Sequence, residues 1–460
     1  MSKRADAGRM HRFESAERDC AGQFHEYLLR RIEQTYPPLQ GPRTAKQLED
    51  AAGPLITAEG LGYEAAYKIF TEVIAPATIA MDHPRMLAYI PAAPTVASEL
   101  MDSVIAASSI YAGSWLEASG AVYAESAALE WLTSLAGLPA SAGGTFVAGA
   151  TIGTLSALTA ARESYLSRRE YRPRRWRIAA TREAHSSVAE AAHVLDAELL
   201  ALPVSDDLRV DVNGLAEMHA EELDGVFAVV GTAGTTNIGV VDNLAALAEF
   251  AERHDLWFHV DGAYGGAALA APSVRAHFDG IERCDSLVID PHKWLFGPFD
   301  CCALLYRDPG HAIRAHRQDA DYLETLNGRR EFNPADLAIH LTRRARGLPF
   351  WFSLAVHGTG AYAEAVEAAL NLTREVTRVM DDDPLLEVAH RPELSVIVFR
   401  RIGWGREDYL AWENRLLQQG IAFVAATRYR NETLARLCFV NPLTTMGDVK
   451  LILDGLRDVR

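Results

Sequence analysis

One lysine stands apart from the other charged residues of the sequence. The chain contains 40 arginines but only five lysines, and Lys293 is the only lysine between residues 69 and 449. It lies in the segment SLVIDPHKWLFGPF, among apolar and aromatic neighbours. Arginine can replace lysine as a surface charge, but it cannot attack a carbonyl group to form an imine. Lys293 is therefore a candidate for covalent attachment of a carbonyl compound. The alternative is a partly exposed lysine that extends its amine to solvent.

A second candidate is the carboxylate of Asp261, which ends an apolar segment and precedes a glycine-rich turn in LWFHVDGAYGG. In open α/β sheets, ligands bind at the carboxyl ends of strands. A carboxylate placed there can keep a pyridinium nitrogen protonated, which makes the ring a better electron sink. Ala263 is small enough to lie flat against such a ring. The alternative is an aspartate that caps a helix, but the residues after Asp261 carry no strong helical pattern.

Phosphate binding is indicated by GGTFVAGATIGTLSALTAAR, which is typical of a strand, a tight turn and a helix. Free N–H groups and the dipole at a helix start favour an anion, and Ala150 and Thr151 occupy that start. Thr236, in the loop GTAGTTNIG, is a further hydrogen-bond donor. His185 and His292 could stack on a ring or transfer protons, although isolated histidines at such positions are more often structural.

The hydrophobic pattern predicts the elements that carry these residues. Amphipathic helices are predicted from Phe13 to about Thr35 and near 45–52 and 61–74. From about residue 120, helices alternate with short apolar segments, which indicates an α/β sheet with mostly parallel strands. After about residue 335, long helices, two strands and a terminal helix indicate a separate α+β region. The strands predicted for the sheet are TFVA (145–148), RIAAT (177–181), GVFAVV (225–230), LWFHV (256–260), SLVI (286–289) and CALLY (302–306).

Composition limits the possible function classes. The 460 residues are 49% hydrophobic and 23% charged, as in ordinary globular enzymes. A net charge of −16 argues against nucleic acid or an anionic membrane as a general partner, and we interpret the arginine-rich stretch 162–177 as solvated surface. Five cysteines without a CxxC spacing indicate reduced thiols and a cytoplasmic location. Neither a secretory signal nor a membrane-spanning apolar run is found.

In combination, these segments resemble the group II pyridoxal-phosphate-dependent amino-acid decarboxylases. That family includes the aromatic-L-amino-acid, histidine, glutamate and diaminobutyrate decarboxylases. The resemblance runs in order from about Asp82 to Phe352, and the last three of its segments are highly specific together. The segments are HPRMLAYIPAAP (83–94), Glu125 with Trp131 and Leu132, HSSV (185–188), HVDGAYGG (259–266), DPHKWLFGPFDC (290–301) and RRARGLPFWF (343–352).

The resemblance implies pyridoxal 5′-phosphate (PLP) as the cofactor and no metal. Lys293 matches the Schiff-base lysine, Asp261 the partner of the pyridinium nitrogen, and His185 the histidine stacked on the ring. The remaining implied cofactor-binding positions are Ala263 behind the ring and Ala150, Thr151, Thr236 and His292 around the phosphate and ring.

The resemblance also implies the fold and the assembly. The expected fold is the α/β fold type I of PLP-dependent transferases. A dimer-wrapping N-terminal helical segment (1–82) would precede a large cofactor-binding domain with a mostly parallel sheet (83–345) and a small α+β C-terminal domain (346–460). Family members are homodimers whose active sites lie at the subunit interface.

Two departures from the family pattern concern product and substrate. Aromatic-type members protonate the carbanion with the help of a loop tyrosine, whose position falls near 332–334 here, where no tyrosine stands. Tyr322, at the start of the loop, or His185 could serve instead. The implied substrate-binding positions are Tyr89, Ile90, Pro91, Tyr111, Phe299 and Thr342. Because Ile90 stands where an aromatic residue is common, and Tyr111 and Gly113 replace two apolar residues, a small or unusual substrate side chain is as compatible as an aromatic one.

The predicted function is decarboxylation of an L-amino acid to its amine and carbon dioxide. Decarboxylation coupled to oxidative deamination, which yields an aldehyde, and another PLP reaction at the α-carbon remain alternatives. A nicotinamide-dependent oxidoreductase is disfavoured because no GxGxxG follows a strand at the right place. A metal hydrolase built on His254, His259 and Asp261 lacks an evident water-activating arrangement. The presence of Lys293, Asp261 and His185 argues against a catalytically dead scaffold.

Overall fold

A seven-stranded sheet forms the centre of the computed structural model, which describes residues 8–39, 41–169, 171–318 and 332–457. The strand order is β1-β7-β6-β5-β4-β2-β3. Strands β3, β2, β4, β5 and β6 pair in parallel, whereas β7 is antiparallel to both β6 and β1. The strands are β1 (Gly143–Val147), β2 (Trp176–Ala180), β3 (Ala197–Ala201), β4 (Val226–Thr232), β5 (Trp257–Asp261), β6 (Ser286–Ile289) and β7 (Cys302–Tyr306). The predicted mostly parallel sheet is confirmed, and β3 is an additional edge strand.

Helices cover both faces of this sheet, which explains why its central strands are apolar throughout. Every residue of β4 and β5 is buried, as expected for parallel strands covered on both faces. One face packs on α6, α7 and α10, and the other on α5, α9 and the long helix α11. The α-helices are α1 (Ser15–Ile32), α2 (Ala45–Ala52), α3 (Gly62–Ile69), α4 (Val96–Ser108), α5 (Trp115–Leu135), α6 (Ala150–Ser167), α7 (Ser186–Val194), α8 (Val212–Glu217), α9 (Leu244–Arg253), α10 (Pro309–His316), α11 (Leu348–Asp381), α12 (Arg406–Gln418) and α13 (Met446–Asp454).

Short helical segments complete the connections. They are 3₁₀ turns at Arg9–His11, Ala75–Ala77, Ala220–Leu223, Gly265–Ala270, Pro272–Phe278, Ile281–Arg283 and Pro334–Leu337, and a π-helical turn at Phe70–Ile74. Gly358 interrupts α11 with a φ of 76°, a left-handed conformation that glycine adopts without a Cβ penalty.

The C-terminal part of the chain forms a second, antiparallel sheet of four strands in the order β10-β11-β9-β8. Its strands are β8 (Leu386–His390), β9 (Val396–Arg401), β10 (Thr427–Tyr429) and β11 (Glu432–Cys438). This sheet packs with α12 and α13 around its own core, as predicted for an α+β region. The Tyr264 hydroxyl joins it to the central sheet through the Ser395 hydroxyl (2.6 Å). The domain boundaries at 82/83 and 345/346 stay predictions.

Two further features bear on the environment of the chain. All five cysteines are buried and free of disulfides. None of the helices within the described ranges combines the length and apolar character needed to cross a bilayer.

Candidate active site

The predicted chemical residues meet at one edge of the central sheet, where strands β2, β4, β5 and β6 have their carboxyl ends. His185 follows β2, Asp261 ends β5, and Lys293 follows β6. The register pairs Thr232 of β4 with Asp261, so these two side chains start from adjacent strands at the same level. A cavity of about 280 Å³ opens here, in the place where open α/β sheets bind ligands.

All eight predicted cofactor-binding residues line this cavity. They are Ala150, Thr151, His185, Thr236, Asp261, Ala263, His292 and Lys293. They come from five separate connections, so the sheet alone brings them together. Their common position is what the prediction required, while the role of each residue stays a proposal.

Lys293 forms an ion pair with Asp290, three residues earlier in the same turn. The distance from Lys293 Nζ to Asp290 Oδ2 is 2.9 Å, and the two side chains are 23% and 3% exposed. Burial acts to lower the pKa of Lys293, but the charge and hydrogen bond of Asp290 and the charge of Asp261 outweigh it and raise the pKa above its usual value. Burial likewise acts to raise the pKa of Asp290, yet Lys293 and His292 hold it below its usual value. The described chain therefore carries Lys293 as an ammonium.

The turn after β5 fixes Asp261 at the cavity wall. Asp261 is 5% exposed and accepts the Ala263 N–H at 3.1 Å, and the Asp290 N–H donates to the Ala263 carbonyl at 3.1 Å. Gly265 permits a close approach, because a Cβ there would lie 2.2 Å from the Ala233 carbonyl oxygen. The glycines of HVDGAYGG thus allow the turn after β5 to lie against the turn after β4.

Helix α6 begins at the opposite wall of the cavity. Gly149 is the N-cap residue of α6 and has no side chain that could accept hydrogen bonds from the first turn. The first N–H groups of the helix therefore remain available to a ligand. The Gly153 N–H already donates to the Gly149 carbonyl at 3.0 Å. Ala150 and Thr151 lie in the first turn and line the cavity, an arrangement that suits an anion such as a phosphate.

The two predicted histidines differ in their surroundings. His185 is exposed and is the N-cap of α7, where Nδ1 accepts the Ser187 N–H at 3.1 Å. Because Nδ1 is then an acceptor, the proton of the neutral ring lies on Nε2. His292 is 8% exposed, and its Nδ1 lies 2.8 Å from the Cys301 carbonyl oxygen and 3.1 Å from the Cys301 nitrogen. Burial lowers the pKa of His292.

Most of the predicted substrate-binding residues lie outside this cavity. Phe299 lines it, whereas Tyr89, Ile90, Pro91, Tyr111 and Thr342 do not. Tyr89 and Thr342 are exposed, and Ile90 and Pro91 are buried. The Tyr111 hydroxyl donates to the Leu341 carbonyl at 3.0 Å. Tyr322 falls in the segment 319–331, outside the described residues.

Several lining residues were missed by sequence reasoning. Thr232 is 3% exposed, and its hydroxyl has no hydrogen-bond partner within the described residues. Asp290 was missed as a partner of Lys293, and Tyr264 and Asp300 also line the cavity. A signal for Thr232 existed, since it ends an apolar strand just as Asp261 does.

The residues present fit a phosphorylated aromatic aldehyde. The Thr232 hydroxyl, which has no partner in the part of the chain that the structure describes, and the first turn of α6 provide donors. The Asp261 carboxylate can face a ring nitrogen, and Lys293 supplies the amine for a carbonyl group. The fold and this donor set together define a fold-type-I PLP-dependent enzyme.

Comparison with known proteins narrows this class. Residues 54–402 match the family described as the pyridoxal-dependent decarboxylase conserved domain. The aromatic-L-amino-acid decarboxylase of Bacillus atrophaeus is 30% identical over 388 residues, which cover 81% of this chain and 80% of the relative. The L-2,4-diaminobutyrate decarboxylase of Rhizobium meliloti (strain 1021) is 30% identical over 393 residues, which cover 81% and 77%. The crystal structure of Oryza sativa TDC with PLP and tryptamine superposes with a TM-score of 0.87 at 23% identity, covering 100% of this chain and 99% of that one.

The chain belongs to the pyridoxal-dependent decarboxylase family. It is a PLP-dependent amino-acid decarboxylase with fold type I, as the sequence predicted.

Proposed function

We propose that this enzyme converts an L-amino acid into its amine and carbon dioxide, with the cofactor attached to Lys293. The observation that carries this proposal is the placement of the Lys293 amine and the Asp261 carboxylate on one cavity, at the ends of neighbouring strands. An amine and a carboxylate so placed match the two electronic requirements of the cofactor, a carbonyl partner and a protonated ring nitrogen.

The other cavity residues have proposed roles that follow from their positions. The first turn of α6, with the Thr151 hydroxyl, and Thr236 hold the phosphate. When the cofactor is bound, Asp261 would hold the proton on the ring nitrogen, Ala263 would leave room for the flat ring, and His185 would cover its face. When bound, the cofactor supplies the electron sink for the pair of electrons left by the departing carbon dioxide.

Proton delivery to the substrate carbon is the step on which amine formation depends. His185 Nε2–H is one donor, because Ser187 fixes the ring through Nδ1. Lys293, an ammonium in the described chain, is another. Either group would complete the amine and leave the cofactor unchanged.

A second candidate product is an aldehyde, formed by decarboxylation coupled to oxidative deamination. The observation that favours it is the absence of a phenol at positions 332–334, where Phe332 is half-buried and Asn333 accepts the Trp115 N–H through its side chain at 3.2 Å. Without a donor at that position, the electron-rich carbon remains open to reaction with oxygen.

The substrate class is proposed from the relatives and from one local feature. The two relatives named above act on aromatic amino acids and on diaminobutyrate. Tyr111 packs so closely over Gly113 that a Cβ at Gly113 would lie 2.3 Å from the tyrosine oxygen. The test panel therefore includes the aromatic amino acids tryptophan, tyrosine and phenylalanine and the diamino acid 2,4-diaminobutyrate, with histidine and glutamate as further side-chain classes.

Product analysis of the loaded full-length protein tests the proposal. We expect an absorbance band from the bound cofactor and equal amounts of amine and carbon dioxide from one class of substrate. Carbon dioxide with aldehyde, peroxide and oxygen uptake would establish the second candidate, and Phe332→Tyr should then shift the product towards the amine. A cofactor band without carbon dioxide release from any L-amino acid would contradict both candidates.

We also propose a homodimer in the cytoplasm. Apolar side chains stand exposed at i, i+4 and i+8 on one face of α4 (Val96, Leu100 and Val104), and Leu116 and Tyr123 of α5 are exposed as well. Such a face is suited to burial against a second copy. Sedimentation velocity should give a dimer mass, and Leu100→Glu with Val104→Glu should give a monomer.

A further inference from the structure

Asp290 is a second buried carboxylate of the active site, besides Asp261, and it faces Lys293. Asp290 immediately follows β6, and the Lys293 N–H donates to the Asp290 carbonyl at 2.9 Å, which closes the turn between them. The Asp290 N–H in turn donates to the Ala263 carbonyl. These two backbone hydrogen bonds fix the position of the carboxylate, and the Lys293 side chain folds back within the turn to contact it.

Besides Lys293, the buried Cys302 thiol hydrogen-bonds to the Asp290 carboxylate and contributes to its lowered pKa, and the carboxylate has few other partners. Its Oδ1 has none within the described residues. His292 Nε2 lies 3.7 Å from Oδ2, too far for a hydrogen bond. An ionised carboxylate with so little exposure must be compensated by a nearby positive charge, and the Lys293 ammonium at 2.9 Å supplies it.

We propose that Asp290 is a positioning residue that keeps the free Lys293 amine protonated and fixed, so that Lys293 can donate the proton that the substrate carbon needs after carbon dioxide leaves. This inference rests on the proposed attachment of the cofactor to Lys293. The lysine is free only while the substrate amine occupies its place, which is the interval in which the carbon must gain a proton. An N–H bond of Lys293 breaks, a C–H bond forms, and the neutral amine that remains is the nucleophile that releases the product.

Among the described titratable groups around Lys293, Asp290 is the best placed to keep the amine protonated and fixed. Asp261 favours the ammonium through its charge, but the hydrogen-bonded contact is with Asp290. The remaining groups are His292 in the same turn, His185 and Asp300 on the cavity wall, Tyr264, and the buried thiols of Cys302 and Cys438. Burial raises the pKa of both thiols, so they stay neutral near pH 7.

The first experiment measures the protonation of Lys293 in the full-length protein after removal of the cofactor. Competitive acetylation with acetic anhydride, followed by peptide mass spectrometry, gives the rate for each lysine, with exposed Lys46 and Lys68 as internal references. In the wild type, the Lys293 rate should keep rising with pH up to pH 10. In Asp290→Asn it should level off about 1 to 3 pH units lower, with a rate at pH 8 about 10-fold or more above wild type.

Three variants separate charge from access. Asp290→Glu keeps the carboxylate and should restore the wild-type profile, and Asp382→Asn removes an exposed carboxylate that does not line the cavity and should change nothing. A rate increase in Asp290→Asn that is equal at every pH would mean better access only and would overturn the proposal. So would identical profiles in Asp290→Asn and the wild type. If Asp290→Asn does not fold, Asp290→Ser gives the same comparison.

The loaded enzyme provides an independent reading. Because the ammonium is the required form, kcat should fall as pH rises through the pKa of Lys293, and this fall should lie about 1 to 3 pH units lower in Asp290→Asn. A high-pH limb that does not move would contradict the role of Asp290. Borohydride reduction and peptide mapping locate the cofactor separately. A cofactor attached at a residue other than Lys293 would refute the proposed function itself, whatever the acetylation profiles show.

Discussion

The two edges of the central sheet carry cavities of very different character. At the carboxyl edge lies the candidate active site, of about 280 Å³. At the opposite edge, where β5 and β6 begin, lies a larger cavity of about 460 Å³ lined by arginines 168, 283 and 307 and by Glu252, Asp255 and Asp285. The larger and more highly charged cavity is not the one with the predicted chemistry.

The difference lies in how the charges are partnered. At the opposite edge, Arg168 pairs with Asp255, and Arg283 pairs with Glu252 at 2.6 Å, with side chains that are about one-third to two-thirds exposed. Such pairs satisfy each other in solvent and leave little for a ligand. At the carboxyl edge, buried Thr232 and Asp290 each keep an atom without a partner in the described residues. Among the described residues that line these two cavities, only those at the carboxyl edge include a buried polar atom without a partner, so this feature, rather than volume or charge, distinguishes the candidate active site from the opposite cavity.

Paired substitutions at the two edges test this comparison most strongly. Lys293→Ala removes the only primary amine among the described residues that line the site, and with it the side chain that can form an imine with a carbonyl, so we expect kcat to fall by about 10,000-fold or more. Arg283→Ala removes the pairs with Glu252 and Glu249 at the opposite edge and should leave kcat within about twofold of wild type, since such exposed pairs contribute little. Carbon dioxide release under saturating substrate measures both. Comparable losses in the two variants would mean that the distinction between the edges is wrong.

Buried and exposed ion pairs should also differ in their contribution to stability. Arg343 and Glu125 are 1% and 3% exposed and lie 2.8 Å apart, and Glu125 also accepts the Gly347 N–H at 2.7 Å. Glu125→Gln leaves the Arg343 charge buried without its partner, so we expect a loss of about 3–5 kcal/mol in the free energy of unfolding. Asp255→Asn breaks the pairs with Arg168 and Arg169, in which the Asp255 side chain is 56% exposed, and should cost less than about 1 kcal/mol. Denaturant titration of both variants at pH 7 gives the comparison, and equal losses would contradict it.

Residue type and position at the end of an apolar strand explain which parts of the site could be predicted from the sequence. Lys293 was visible because arginine replaces lysine almost everywhere else in the chain, and Asp261 because it ends a wholly apolar strand. Asp290 was not recognised as the partner of Lys293, because an aspartate before a proline is also an ordinary turn residue. A contact between two side chains of the same turn, such as that of Lys293 with Asp290, produces no periodic pattern in the sequence.

The direction of β7 and the existence of the outermost strand β3 were also not predicted from the sequence. The segment between β6 and β7 has only 12 residues and no helical pattern, which is too short for the usual crossover between parallel strands. The antiparallel direction of β7 was therefore open to prediction, although it was not predicted. Strand β3 gave no comparable signal, because none of its five residues is buried. Positions such as Tyr89 and Thr342 depend on long-range contacts, which a single sequence does not contain.

The carboxylate of Glu99 extends the contrast between partnered and unpartnered charges. Of the predicted effects on stability and activity, the one at Glu99 is the smallest. Glu99 lies on α4 beside a cavity of about 400 Å³. Burial and the charge of Asp82 raise the pKa of Glu99 to about 7, against a smaller opposing effect of Arg31. This is the opposite of Asp290, whose lysine partner lowers the pKa despite deeper burial.

The sign of the resulting pH dependence follows from the direction of that shift. An acid whose pKa is higher in the folded state than in the unfolded state costs stability as pH rises from its usual pKa of 4.5 to about 7. Glu99→Gln removes this cost, so the variant should match the wild type near pH 4.5 and exceed it at pH 8 by roughly 1 kcal/mol, after allowance for solvent screening. Denaturant midpoints at the two pH values measure the difference. If the difference in stability between Glu99→Gln and the wild type is the same at pH 4.5 and pH 8, then solvent or Arg31 compensates the Glu99 charge as fully as Lys293 compensates that of Asp290.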